Sequence, residues 1–234
     1  MHPRINFNED TLNIFTDSSV KTMEYGFDSA SAIVALMGDK KVLERVELNR
    51  NTTNNYGEIR AIYMGAESAD EINRYFKPKY INIFSDSRIS VLGLKEWYKK
   101  WDVVDEQGYS LSSSGNRVAN QSVIWSIMRF ILNNNLHLAI YHVRGHINPN
   151  QPGELKQFAH SMRVINKDIG SGLIDEDDLR KLIEGNDYVD RLSRDMVRNS
   201  ENYPFILRPI ERLYNFTPEE IKKYGELIDP RYQI

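Results

Sequence analysis

Leu12-Asn13-Ile14-Phe15-Thr16-Asp17-Ser18 and its near copy, Ile81-Asn82-Ile83-Phe84-Ser85-Asp86-Ser87, decide the fold class. Ile and Phe alternate with period 2, the spacing of a strand, and each run closes on an aspartate. An aspartate just past such a strand sits at the carboxyl end of a sheet, where open α/β sheets hold their ligands. Taken singly, either residue reads as an ordinary turn or cap aspartate. Two of them on strands expected to be neighbours, with Glu58 in the first turn of an adjacent helix, read instead as a cation site. Carboxylates gathered together repel unless a cation neutralises them. Oxygen ligands without a Cys or His cluster favour Mg²⁺ or Mn²⁺ over zinc.

Working outward, residues 11–17 form the first strand, and residues 30–37 and 41–48 flank the turn Gly38-Asp39-Lys40 as a hairpin. Three strands in a row predict an antiparallel meander. Asn51-Thr52-Thr53-Asn54-Asn55 supplies turn and N-cap chemistry for the helix that carries Glu58. A fourth strand follows at 80–85, then a helix over 87–101, a polar protruding loop over 102–116, a helix over 118–132 and a fifth strand over 136–143. Residues 148–184 read as an irregular region with helical pieces at 155–167 and 176–183, the latter able to continue past Gly185 through Asp190. The expected division is a main domain over 1–200 and a C-terminal appendage over 201–234. The appendage carries a short helix at 218–227, capped by Thr217 with Pro218 in its first turn.

The bulk numbers exclude little beyond sulfur chemistry. The 234 residues contain no cysteine, so disulfides, thiolate zinc sites and a cysteine nucleophile are out. Net charge is −3, so any nucleic-acid surface must be local. Residues 88–144 carry seven Lys/Arg against four Asp/Glu, which allows such a patch. No apolar run approaches the ~18 residues of a membrane span, and the N-terminus has no signal-peptide core. The expectation is a cytoplasmic monomer without membrane attachment.

Further motifs sharpen the reading. Thr52-Thr53-Asn54-Asn55-Tyr56-Gly57-Glu58, Ser85-Asp86-Ser87 followed by Gly93 and Trp97-x-x-x-Trp101, Val143-Arg144-Gly145-His146, and Gly185-Asn186-Asp187-Tyr188-Val189-Asp190-Arg191-Leu192 occur in that order. Together with Asp17 they resemble the type 1 ribonuclease H family, over roughly residues 11–147 and 185–198. The resemblance implies a ribonuclease H-like α/β fold: a five-stranded mixed sheet, three strands antiparallel and the others parallel, flanked by helices. It also implies hydrolysis of the RNA strand of RNA–DNA hybrids, with Asp17, Glu58, Asp86 and Asp190 holding two Mg²⁺ ions, replaceable by Mn²⁺. His146 would assist proton transfer or product release beside the leaving group, a task that suits an imidazole. Thr53, Asn54, Asn55 and Asn186 would contact substrate, Arg88 and Arg144 its phosphates, and Trp97 and Trp101 the DNA strand. Each also has a plainer reading: Thr53, Asn54 and Asn55 as helix caps, the tryptophans as a packed helix face, the arginines as solvated surface. His142 and His146 share a His-x-x-x-His spacing, but it spans a strand end and turn, which disfavours zinc.

The pattern departs from the family in three places. Ser18 follows the first aspartate where the family usually has glycine. Asp102, Asp105 and Glu106 make the protruding loop poorly basic, so it should add little hybrid affinity. The insertion of residues 148–184 leaves Asp187 and Asp190 competing as the fourth ligand; Asp190 is assigned because Asp187-x-x-Asp190-x-Leu192 matches the family's acidic-x-x-Asp pattern. The acidic run Asp175-Glu176-Asp177-Asp178 reads as a solvated helix start. Two alternatives stay open: another nuclease on the same fold (junction resolvase, transposase-like or exonuclease), or an inactive hybrid-binding module.

Overall fold

The computed structural model describes residues 5–24, 26–101, 103–167, 174–202, 204 and 216–229. Strands β1 (Thr11–Met23), β2 (Gly26–Met37) and β3 (Lys40–Asn49) form the antiparallel meander. Helix α1 (Asn54–Phe76) crosses over to β4 (Tyr80–Ser85), which lies parallel to β1. Helices α2 (Arg88–Lys95) and α3 (Gln121–Asn134) then lead to β5 (Ala139–His142), parallel to β4. The sheet order is β3-β2-β1-β4-β5, the mixed five-stranded arrangement expected. Helices α4 (Glu154–Ile165), α5 (Glu176–Arg198) and α6 (Pro218–Leu227) complete the chain. Among the described residues no helix is long and apolar enough to cross a membrane.

Period-2 alternation sends side chains to both faces of the sheet. Leu12, Ile14, Ile81, Ile83 and Ile140 pack with α1, α2, α3 and α6. Phe15, Phe84 and Tyr141 pack with α4 and α5, and their rings stack in sequence across the sheet, 5.1 Å between Phe15 and Phe84 and 5.6 Å between Phe84 and Tyr141. The twin motifs pair residue for residue: Leu12 with Ile81, Asn13 with Asn82, and so on to Thr16 with Ser85. The Asn82 amide donates to Asn13 Oδ1 at 2.9 Å.

Three elements differ from expectation. β1 runs on to Met23, because Ser18–Met23 finds backbone partners along β2. The helix expected over 87–101 breaks at Glu96 into α2 and a 3-10 turn, Trp97–Lys100. That break buries Tyr98 edge-on against Tyr224, rings 5.0 Å apart. Within the segment read as an appendage, α6 sets Tyr224, Leu227 and Ile228 into the same core as α3. Leu138 N–H donates to Leu227 O at 3.0 Å and the Tyr224 hydroxyl to Leu94 O at 3.0 Å. The capping box of Thr217 and Glu220, with Pro218 in the first turn, starts α6 where expected.

Candidate metal centre

The last β1–β4 pair is Thr16 with Ser85, so Asp17 and Asp86 stand side by side one residue beyond it. Asp17 is inside β1; what ends at that level is β4. Thr53 caps α1, its Oγ1 accepting from Tyr56 N–H at 3.2 Å. Glu58 is therefore the fifth helical residue and lies in the second turn rather than the first. α1 approaches β1 closely at Gly57, where a Cβ would stand 2.0 Å from Ser18 Oγ. One carboxylate oxygen each from Asp17, Glu58 and Asp86 falls within 4.8 Å of the other two.

Burial and mutual repulsion dominate the electrostatics. Burial first, and the Asp86 charge next, push Asp17 up to about 8, although Ser18 N–H donates to its Oδ1 at 2.7 Å. Burial, then Asp17 and Asp86, hold Glu58 well above the usual carboxylate range. The Asn54 amide reaches Glu58 Oε1 at 3.3 Å, while Oε2 is buried with no hydrogen-bond partner among the described residues. Asp86 is raised by burial, with His146 and Asn186 pulling the other way and Asp190 adding to the rise. A buried acceptor without a donor, in an all-oxygen set of crowded carboxylates, fits a hard divalent cation.

α5 brings the fourth acid. Asp175 caps it, accepting from Asp178 N–H at 2.8 Å, and the acidic run fills its first turn. The helix continues unbroken through Gly185, where a Cβ would lie 2.5 Å from ring carbons of Phe15. That close approach carries Asn186, Asp187 and Asp190 to the site. The charge of Asp190 acts on both Asp17 and Asp86, but its carboxylate is ion-paired with Arg194 and stands outside the triangle of the other three. Asp187 is half-buried and raised by burial and by Asp190. Asn186, expected at the substrate, is only 3% exposed and its amide turns toward Asp86.

The remaining predicted residues are exposed or half-buried. His146 is exposed, within electrostatic reach of Asp86, and adopts a left-handed φ of 56°. Arg88 and Arg144 are exposed. Asn55, Trp97 and Trp101 line one groove of about 780 Å³ with Ile89 and the loop residues Val103, Ser112 and Arg117. Trp97 stands outward, whereas Trp101 packs partly against the core. Arg117 is spent within its loop, paired with Asp105 at 2.6 Å.

A model of the family RNase H matches residues 9–155. The chain belongs to the RNase H family. Among solved structures, the foamy viral protease-reverse transcriptase in complex with RNA/DNA hybrid is similar at TM-score 0.53 and 16% identity, over 86% of this chain and 21% of that one. The present chain thus spans about a fifth of that viral polypeptide. The dsDNA complex of the viral protein gives 0.53, 16%, 86% and 99% in the same measures. LC11-RNase H1 in complex with RNA/DNA hybrid gives TM-score 0.43 and 13% identity over 57% of this chain and 85% of that one. Identities this low support a shared fold alone, here the ribonuclease H-like sheet and its helices. No curated protein matches the sequence.

Within that family frame, the serine after Asp17 is accommodated by this chain's own means. Ser18 Oγ occupies the space that Gly57 leaves by having no Cβ. From the sequence His142 reads only as a metal ligand, whereas in the fold its ring is buried with Nε2 3.0 Å from Asp86 O. Its position opposite Ser85, one residue before Asp86, is a pairing that only the assembled sheet reveals.

Proposed function

We propose that this chain is a metal-dependent endoribonuclease that hydrolyses the RNA strand of RNA–DNA hybrids. The observation that carries the reading is the triangle of Asp17, Glu58 and Asp86 oxygens, drawn from β1, α1 and the end of β4. Family membership supports it, and so does a structural neighbour solved with an RNA/DNA hybrid. Asp17, Glu58 and Asp86 would hold Mg²⁺ or Mn²⁺, with Asp190 as fourth ligand on leaving Arg194. Bound there, two such ions would supply an activated water and charge stabilisation for the departing 3′ oxygen of an in-line displacement.

The residues of the chain do the rest. Asn186 orients the Asp86 carboxylate. His146, exposed beside Asp86, gives or takes a proton at the leaving oxygen. Thr53 spends its hydroxyl on the cap and Asn54 its amide on Glu58, which makes Asn55, on the groove wall, the residue to meet a ribose 2′-OH. Trp97 and Trp101 offer stacking surfaces to the DNA strand, and Arg88 and Arg144 reach phosphates. With Arg117 engaged by Asp105, hybrid affinity is weak and falls with salt.

The test is incubation with Mg²⁺ and end-labelled RNA–DNA hybrid, duplex RNA, duplex DNA and a four-way junction. Internal cuts in the hybrid's RNA alone are expected, and Asp86→Asn should lower turnover by about a thousandfold or more while the fold persists. Junction or DNA cleavage would transfer the chain to another nuclease class. Binding without cleavage would make it a hybrid-binding module.

A further inference from the structure

The insertion between β5 and α5 does more than decorate the fold. α4 buries Phe158 and Met162 in the same core as Tyr141 and Val143. At its C-terminal end stands Asn166, only 1% exposed. Asn166 Oδ1 accepts from His142 N–H at 2.8 Å, and its Nδ2 donates to His142 O at 2.7 Å and Met162 O at 3.0 Å. One amide side chain thus satisfies both backbone groups that His142 turns to the open edge of β5, as another strand would.

His142 is held on its other side by the sheet. It pairs with Ser85 in register, and Val143 N–H donates to Ser85 O at 3.0 Å. From that clamped backbone the imidazole reaches across to the end of β4, Nε2 lying 3.0 Å from Asp86 O. A carbonyl only accepts, so Nε2 carries the proton and donates. Nδ1 is buried and has no hydrogen-bond partner among the described residues, so the ring serves this single bond. Asp86 is the residue whose carboxylate joins the triangle with Asp17 and Glu58. The next residue, Ser87, already caps α2.

We infer that Asn166 and His142 form a positioning relay by which the insertion fixes the backbone of Asp86 and so the metal-binding geometry of its carboxylate. Asn166 lies beyond residue 155, where the family match ends, and His142 lies within it. Groups that orient a ligand without touching the ion commonly change metal affinity about 10- to 100-fold when removed. The inference rests on the proposed metal site.

The test measures Mn²⁺ binding by calorimetry without substrate, alongside thermal unfolding in chelator. Asn166→Ala and His142→Ala should each weaken Mn²⁺ binding about tenfold or more. His142→Gln, which keeps an N–H donor, should recover most of the loss, and KM for hybrid should stay at the wild-type value. Unfolding at lower temperature with Mn²⁺ affinity unchanged would show a merely structural brace and overturn the relay. If the alanine variants do not fold, Asn166→Asp decides. It keeps the acceptor and loses the donor, so affinity should fall, and unchanged affinity overturns the relay. Wild-type protein that binds no Mn²⁺ would sink the metal site itself, a result distinct from binding wild type with indifferent variants.

Discussion

Replacing Asp17 by Asn should stabilise the metal-free protein while abolishing its chemistry. Burial and the neighbouring Asp86 charge raise the folded carboxyl to about 8, against an ordinary value of 3.8 in the unfolded chain. Between those values the unfolded chain has released its proton and the folded one has kept it. Stability therefore falls as pH rises through this window, by about 1.4 kcal/mol per pH unit. The contribution is fully present below 3.8 and gone above about 8. At pH 7 the loss comes to about 4 kcal/mol. An asparagine has no charge to bury, and its Oδ1 can still accept from Ser18 N–H. It should recover about 2–4 kcal/mol at neutral pH, the lower figure allowing for the part of the rise that Asp17 shares with Asp86 and Glu58. Urea unfolding in chelator, followed by circular dichroism near pH 4, 5.5 and 7, measures the gap, which should be small at the acid end and widen upward. Saturating Mg²⁺ should then raise wild-type stability and leave the variant unmoved. A gap that stays constant across the series, or a variant less stable at neutral pH, would refute the buried-charge argument.

Other perturbations follow from the same geometry. Titrating Mg²⁺ at neutral pH in two buffers of different ionisation enthalpy should reveal net release of at least about one proton, because Asp17 must shed its own to bind and Glu58, also raised, adds to it; no release would contradict their raised pKa values. Gly185→Ala gains about 1 kcal/mol of helix propensity but sets a methyl 2.5 Å from a Phe15 ring that stacks on Phe84 and cannot retreat. Overpacking of about 1–3 kcal/mol should win, lowering stability in urea and cutting turnover by displacing Asp190; a more stable, fully active variant would disprove the tight seat. Tyr224→Phe leaves Leu94 O without its donor and should cost about 1–2 kcal/mol in chemical denaturation, whereas a neutral result would mean α6 docks by burial alone.

The sequence by itself determined the elements whose causes are local. Alternating Ile and Phe before Asp17 and Asp86 specify two strands and the acid that follows each run, Thr53 and Thr217 with Pro218 specify helix starts, and the motif order from Asp17 to Leu192 points to the family. Side-chain period and capping are carried by residues within one turn or one strand of each other, so one dimension suffices to read them. Ser18–Met23 could not be read as strand, because its six mostly polar residues owe their conformation to partners on β2. The break at Glu96 answers to Tyr224, 128 positions away in the chain, and the role of Asn166 exists only where α4 meets the edge of β5. The carboxylate triangle was legible as a cation site but not as a geometry; the in-register pairing of β1 with β4 and the glycine that lets α1 close on Ser18 set its distances. Tertiary structure decided what depends on distance, since hydrogen bonds, desolvation and charge repulsion act through space and carry no mark of sequence separation.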